Sequence, residues 1–172
     1  VGIVTIPFEF EMEKKRKKAF AGIEEMSKNV DALLVINNEQ LVNIYPELDM
    51  GNAFAKADEI LTDSAKGIAD IVTQPGYINV DFADVCAIMK DSGVAIMNTG
   101  FSNDNSETRV VDAIQDALAS PLLKDNNIRG AKRILLNIHT SKENKLTMKE
   151  TEHLRRFLNS IGHDIEFIWG AI

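Results

Sequence analysis

Apolar and polar positions along the chain follow two periods, and the changes between them mark the elements. Residues 1–5 (VGIVT) are short, apolar and β-branched, which predicts a buried strand ended by Pro7. A helix is predicted over about residues 11–28. Phe20, Ile23, Met26 and Val30 recur there at steps of three and four and give it one apolar face. Residues 32–36 (ALLVI) are continuously apolar, as in a parallel strand covered on both sides; polar residues 37–40 interrupt them. After a loop around Pro46, a long helix is expected over 51–73. Phe54, Ala57, Leu61, Ala65, Ile68 and Val72 mark one face, and Ala55, Ile60, Ala69 and Ile71 widen it, a pattern of helices buried between two bodies. Pro75 and Gly76 stop it.

A short helix is expected at 81–90 and a strand at 93–100. The second half then alternates. A helix at 106–119 turns Val110, Val111, Ile114, Ala117 and Leu118 inward, and a strand covers 134–138. A helix opened by the capping box Thr147–Glu150 buries Leu154, Phe157, Leu158 and Ile161. A last strand covers 165–169. The expected fold class is α/β in two parts. Residues 1–92 hold two strands, too few for a parallel sheet, and the long helix. Residues 93–172 form an α+β unit in the order β-α-β-α-β, a mixed sheet with helices on one face.

Composition narrows the function. The 172 residues are 45% hydrophobic and 26% charged, as in an ordinary globular protein, with a formal charge of -7. An acidic chain is a poor fit for nucleic acid or an anionic membrane surface. One cysteine, Cys86, excludes an internal disulfide and is expected in the core. No apolar run approaches the ~20 residues of a spanning helix, and no signal peptide is visible. The chain opens on Val1 inside a strand, which reads as a piece of a longer protein. The run of five basic residues at 14–18 reads as a solvated face. His139, His153 and His163 show no metal-ligand spacing, and no metal site is predicted. Neither a Walker loop, G-x-G-x-x-G, H-E-x-x-H nor G-x-S-x-G is present.

The informative segment is 74–84 (QPGYINVDFAD). Asp81 and Asp84 lie three apart, on one side of a first helical turn whose amide dipoles stabilise their charge. Such a pair can orient a water or hold a hydrated cation. On spacing alone, the plainer reading is ordinary N-capping.

The order of segments resembles the FtsZ family of tubulin-like GTPases. The resemblance rests on VTIPF (4–8) with Glu11, VDALLVINN (30–38), NAF (52–54) with Ala57 and Asp58, and GIADI (67–71). It continues through TQPG (73–76), NVDFADV (79–85) and SPLL (120–123). It implies the carboxy-terminal part of the globular core: an incomplete GTPase-domain remnant with a core helix, then an α+β domain. It implies a polymerising GTPase of the bacterial division ring, in which one subunit's loop activates GTP hydrolysis on its neighbour. Asp81 and Asp84 would position the attacking water and its cation, and Asn79 would shape the loop. Phe54 would stack on guanine, Asp58 would bond its edge, Asn38 would line the base pocket and Glu11 would face the ribose. The family's phosphate-side arginine falls at Lys15, with Arg16 adjacent.

The resemblance further implies GTP and GDP as substrate and product and Mg2+ in the intact protein. The partner is another copy, in a head-to-tail filament. Division adaptors act through a tail not found in this sequence; neither nucleic acid nor membrane insertion is involved, and the location is cytoplasmic, at mid-cell. The glycine-rich phosphate loop lies outside these residues, so the polypeptide alone is expected to be inactive, to bind GTP weakly and to self-associate. The alternative is a non-catalytic structural or interaction module of a tubulin-like protein.

Overall fold

In a computed structural model, residues 1–104, 106–119, 131–162 and 165–172 are described. The apolar run at 32–36 becomes strand β2 (Ala32–Asn37), and the amino-terminal one becomes β1 (Gly2–Ile6). The two pair in parallel, Gly2 opposite Leu33 through Ile6 opposite Asn37. Helix α1 (Glu13–Ser27) makes the crossover that parallel pairing requires. Ala32, Leu33, Leu34 and Ile36 are buried, and each large side chain stabilises this sheet by about 1.5–3 kcal/mol. A 3-10 turn at Glu9–Glu11 links β1 to α1.

Contacts divide the described residues into two compact units. One comprises Val1–Ala69 and Met89–Met97; the other comprises Asp70–Ile88 and Asn98–Ile172. In the first, helix α2 (Glu39–Ile44) follows β2 and buries Leu41, and the long helix α3 begins at Met50. In the second, α3 ends at Thr73 and α4 spans Phe82–Met89. Helix α5 (Arg109–Ala119) precedes strand β4 (Arg133–Ile138), and helix α6 (Met148–Ile161) precedes strand β5 (Glu166–Ala171). Strands β4 and β5 are parallel, and Ile78 adds an antiparallel bridge to Ala171, so this group is mixed. Among the described residues, no helix is long and apolar enough to cross a membrane.

Several expectations are corrected. The strand predicted at 93–100 is only β3 (Gly93–Ala95), and it pairs with β2 as the third strand of the first sheet. It does not open the second sheet, because Gly93 donates its amide to the Asp31 carbonyl and so continues the β2 register. The polar stretch after β2, for which the pattern predicts no element, opens helix α2. Asn38 accepts from the Leu41 amide with its carbonyl, and Leu41 supplies the buried anchor. Helix α3 is less covered than its pattern implied: within it only Ala57 and Ser64 are buried. Helix α1 buries no residue fully, and Phe20 and Met26 remain exposed. Cys86 is exposed, not core, since α4 turns Val85 and Ile88 inward and leaves the position between them facing water. His163 and the SPLL stretch at 120–123 lie outside the described residues.

Candidate functional site

The residues singled out from the sequence fall into two clusters, one in each unit. In the first unit the carboxyl ends of β1 and β2 support a set of loops, the place where parallel α/β sheets bind ligands. The Asn38 amide donates to the Ile6 carbonyl at 3.1 Å, which ties the two strand ends together. Phe8 is fully buried and stacks on Phe10 at 4.9 Å. Phe54, from α3, meets both rings edge-on at 5.3 and 5.9 Å. Its own side chain stays 39% exposed, leaving ring surface free. Glu11 accepts from the Phe8 amide and pairs with Lys15, while Arg16 pairs with Glu9 at 3.1 Å. Asp58 is exposed on the same helix as Phe54.

Two buried side-chain atoms among the described residues have no hydrogen-bond partner: Oδ1 of Asn38 and Nε of Arg16. Asn38 is only 6% exposed. Buried polar atoms without partners are rare and mark a strained or ligand-meeting position. Here both belong to residues singled out from the sequence as nucleotide-facing. The sequence reading missed the partners of Phe54, namely Phe8 and Phe10, although the FEF triplet after Pro7 was the available signal. It also missed an apolar cleft of about 170 Å³ lined by Phe10, Leu41, Val42, Tyr45, Leu48 and Met50.

The second cluster is the acidic loop. Asp81 precedes α4 and caps it: its Oδ1 accepts from the Asp84 amide at 2.8 Å. In return Oδ2 of Asp84 accepts from the Asp81 amide at 3.0 Å. The pair is thus a reciprocal cap, with one oxygen of each carboxylate used. Asp81 is exposed and Asp84 half-buried. Asn79 turns inward on its own loop, accepting from the Gly76 amide at 2.7 Å. Backbone hydrogen bonds hold the loop to the end of β5: Tyr77 and Ile78 donate to the Ala171 carbonyl at 2.7 and 3.2 Å, and Ala171 donates to Ile78 at 3.0 Å. Val80 is buried over Gly170. Asp81, Asp84 and Asn79 are therefore brought together. Glu11, Lys15, Arg16, Asn38 and Phe54 gather around the other unit's strand ends. Among the described residues, no group of three or more His, Cys, Asp or Glu is placed to hold a metal ion.

With this geometry in hand, comparison with known proteins is specific. Residues 93–172 match the sequence model described as FtsZ family, C-terminal domain. The cell division protein FtsZ of Porphyromonas gingivalis is 49% identical over 170 residues, which is 99% of this chain and 37% of that protein. The chain thus spans well under half the length of this relative. An FtsZ dimer from M. jannaschii superposes with a TM-score of 0.82 at 38% identity, covering 98% of this chain and 48% of that one. CetZ1 from Haloferax volcanii, a GDP-bound monomer, shares the fold with a TM-score of 0.73 at 20% identity, covering 99% and 49%.

Proposed function

We propose that this chain, similar to FtsZ proteins over 99% of its length and matching the FtsZ-family C-terminal domain over residues 93–172, is the catalytic-loop half of a polymerising GTPase of cell division. In this reading the protein forms head-to-tail filaments of the cytoplasmic mid-cell ring, which adaptor proteins link to other components. The loop around Asp81 and Asp84 activates GTP hydrolysis on the adjacent copy. The observation that carries the nucleotide side is the orphaned Asn38 Oδ1. It is an acceptor without a donor, in the unit that also presents the partly exposed Phe54 ring, and a guanine ring supplies both an N–H edge and a stacking surface.

The hydrolytic role follows from what the cap leaves over. Each carboxylate spends one oxygen on a backbone amide and keeps the other for a water. The amide hydrogen bonds fix both groups in one rotamer, which is the positioning that phosphoryl transfer to water demands. Bound Mg2+ would neutralise charge developing on the phosphates. The 172 residues hold no glycine-rich phosphate loop, so this polypeptide by itself binds GTP weakly. Isothermal titration of the 172-residue chain with GTP is expected to give no tight, stoichiometric binding.

The reciprocal cap also favours a second reading, a non-catalytic interaction module whose two acids only start a helix. Asparagine caps a helix about as well as aspartate. Asp81→Asn in the intact protein therefore keeps the cap and removes the charge. The expected outcome is a loss of GTP turnover of about 100-fold or more with nucleotide binding unchanged. Turnover at the parental rate would leave the interaction module as the answer.

A further inference from the structure

The acidic loop is held by the backbone of β5 and also makes a contact with a side chain outside that strand. The Lys145 ammonium lies over the Tyr77 ring, 5.4 Å from its centroid. Tyr77 stands at the entry of the loop that ends in Asp81 and Asp84 and is 71% exposed. An exposed lysine is ordinarily free to wander, because holding it costs rotamer entropy. Here the backbone beneath it is clamped. Nη2 of Arg109 donates to the carbonyls of Asn144 and Lys145 at 2.9 and 3.0 Å, while the same guanidinium pairs with Glu150. Glu150 is only 3% exposed and also receives the Thr147 amide and hydroxyl, so α5, α6 and the 139–147 loop meet at one fixed point.

We propose that Lys145, with its backbone clamped by Arg109, is a positioning residue that sets how the acidic loop is presented to the neighbouring copy. The proposal rests on the hydrolytic reading of that loop. Lys145 acts on the loop through Tyr77. The Tyr77 amide is hydrogen-bonded to Ala171, so a ring contact and a backbone contact both restrain the loop at Tyr77. Without the cation–ring contact, the loop keeps its backbone bonds to β5, the Val80 packing on Gly170 and the Asn79–Gly76 bond.

The test uses the intact GTP-hydrolysing protein with Lys145→Met, Tyr77→Leu, the two combined, Lys145→Arg, and Asp81→Asn as reference. Arg109 is left alone because its loss would unseat Glu150 as well. Each single change is expected to lower kcat about 2- to 5-fold, the factor an exposed cation–ring contact is worth, with KM and GTP affinity unchanged. The double variant is expected to be no slower than the worse single, since both remove one interaction. Lys145→Arg is expected to retain the parental rate, because a guanidinium also binds a ring face. If Asp81→Asn is inactive while Lys145→Met turns over at the parental rate, or if the single losses multiply, Lys145 has no positioning role. If Asp81→Asn itself turns over normally, the hydrolytic reading fails and this proposal fails with it.

Discussion

At Met12 the backbone carries a cost that no side-chain contact explains. Its φ of 73° and ψ of 151° lie in a region that suits glycine, between the 3-10 turn and α1. The side chain is 72% exposed, so little packing depends on it. Met12→Gly is expected to raise stability by about 1 kcal/mol, measured by urea unfolding, because relief of strain outweighs the extra freedom of the unfolded chain. An unchanged or lower midpoint would contradict this. The strained position matters because it aims the first turn of α1, where Lys15 pairs with Glu11 and Arg16 with Glu9. The same scale shows how a residue's roles can coincide. Asp81 and Asp84 are helix caps by geometry and candidate water-positioning groups by the oxygen each cap leaves over, and spacing alone could not separate the two.

Among the elements, α6 illustrates what a pattern can and cannot reveal. Its capping box was legible from Thr147 and Glu150, and both halves form. The clamp on Arg109 was not legible, because a residue 41 positions earlier becomes a neighbour only when α5 packs beside α6. The ion pair has consequences for pH. Burial pushes the Glu150 carboxyl up, but hydrogen bonds from the Arg109 side chain and from the Thr147 side chain and backbone outweigh it and hold it below its usual 4.5. The native state therefore favours the ionised form. The stability this contributes is present above about pH 4.5 and is lost as pH falls through the depressed value. Glu150→Gln is expected to lower stability at neutral pH by up to about 3 kcal/mol, as removal of a buried charge partner does. In acid unfolding curves the gap between parent and variant should then narrow below pH 4.5; a constant gap would show that the carboxylate is not responsible.

The acidic loop belongs to the same scale. A Cβ added at Gly76 would lie 2.2 Å from the Ala171 carbonyl oxygen, a backbone atom that cannot yield without moving β5. Gly76→Ala is expected to break the Tyr77–Ala171 hydrogen bond and speed amide exchange at Tyr77 and Ile78, at a cost of about 1 kcal/mol. Exchange at the parental rate would mean that the loop docks by other means.

For the whole molecule, the expectation concerns surface. Phe54 and Val72 on α3 are each more than one-third exposed, and Val94, Phe82 and Phe101 more than two-thirds. Large apolar side chains left this open favour association. The 172-residue polypeptide is expected to self-associate at micromolar concentration, seen as a sedimentation coefficient that rises with concentration. A monomer throughout the dilution series would count against it.

What the sequence determined by itself was local. Runs and periods located the strands at 1–5 and 32–36, the long helix and its Pro-Gly stop, and the caps of α4 and α6, because these depend on side chains a few residues apart. The acidic pair was legible for the same reason. Tertiary structure alone decided which sheet received β3, which α3 residues were covered, that Cys86 faced water, and that Arg109 met the Lys145 backbone and Lys145 the Tyr77 ring. Those outcomes depend on contacts between residues tens of positions apart, which no local period records.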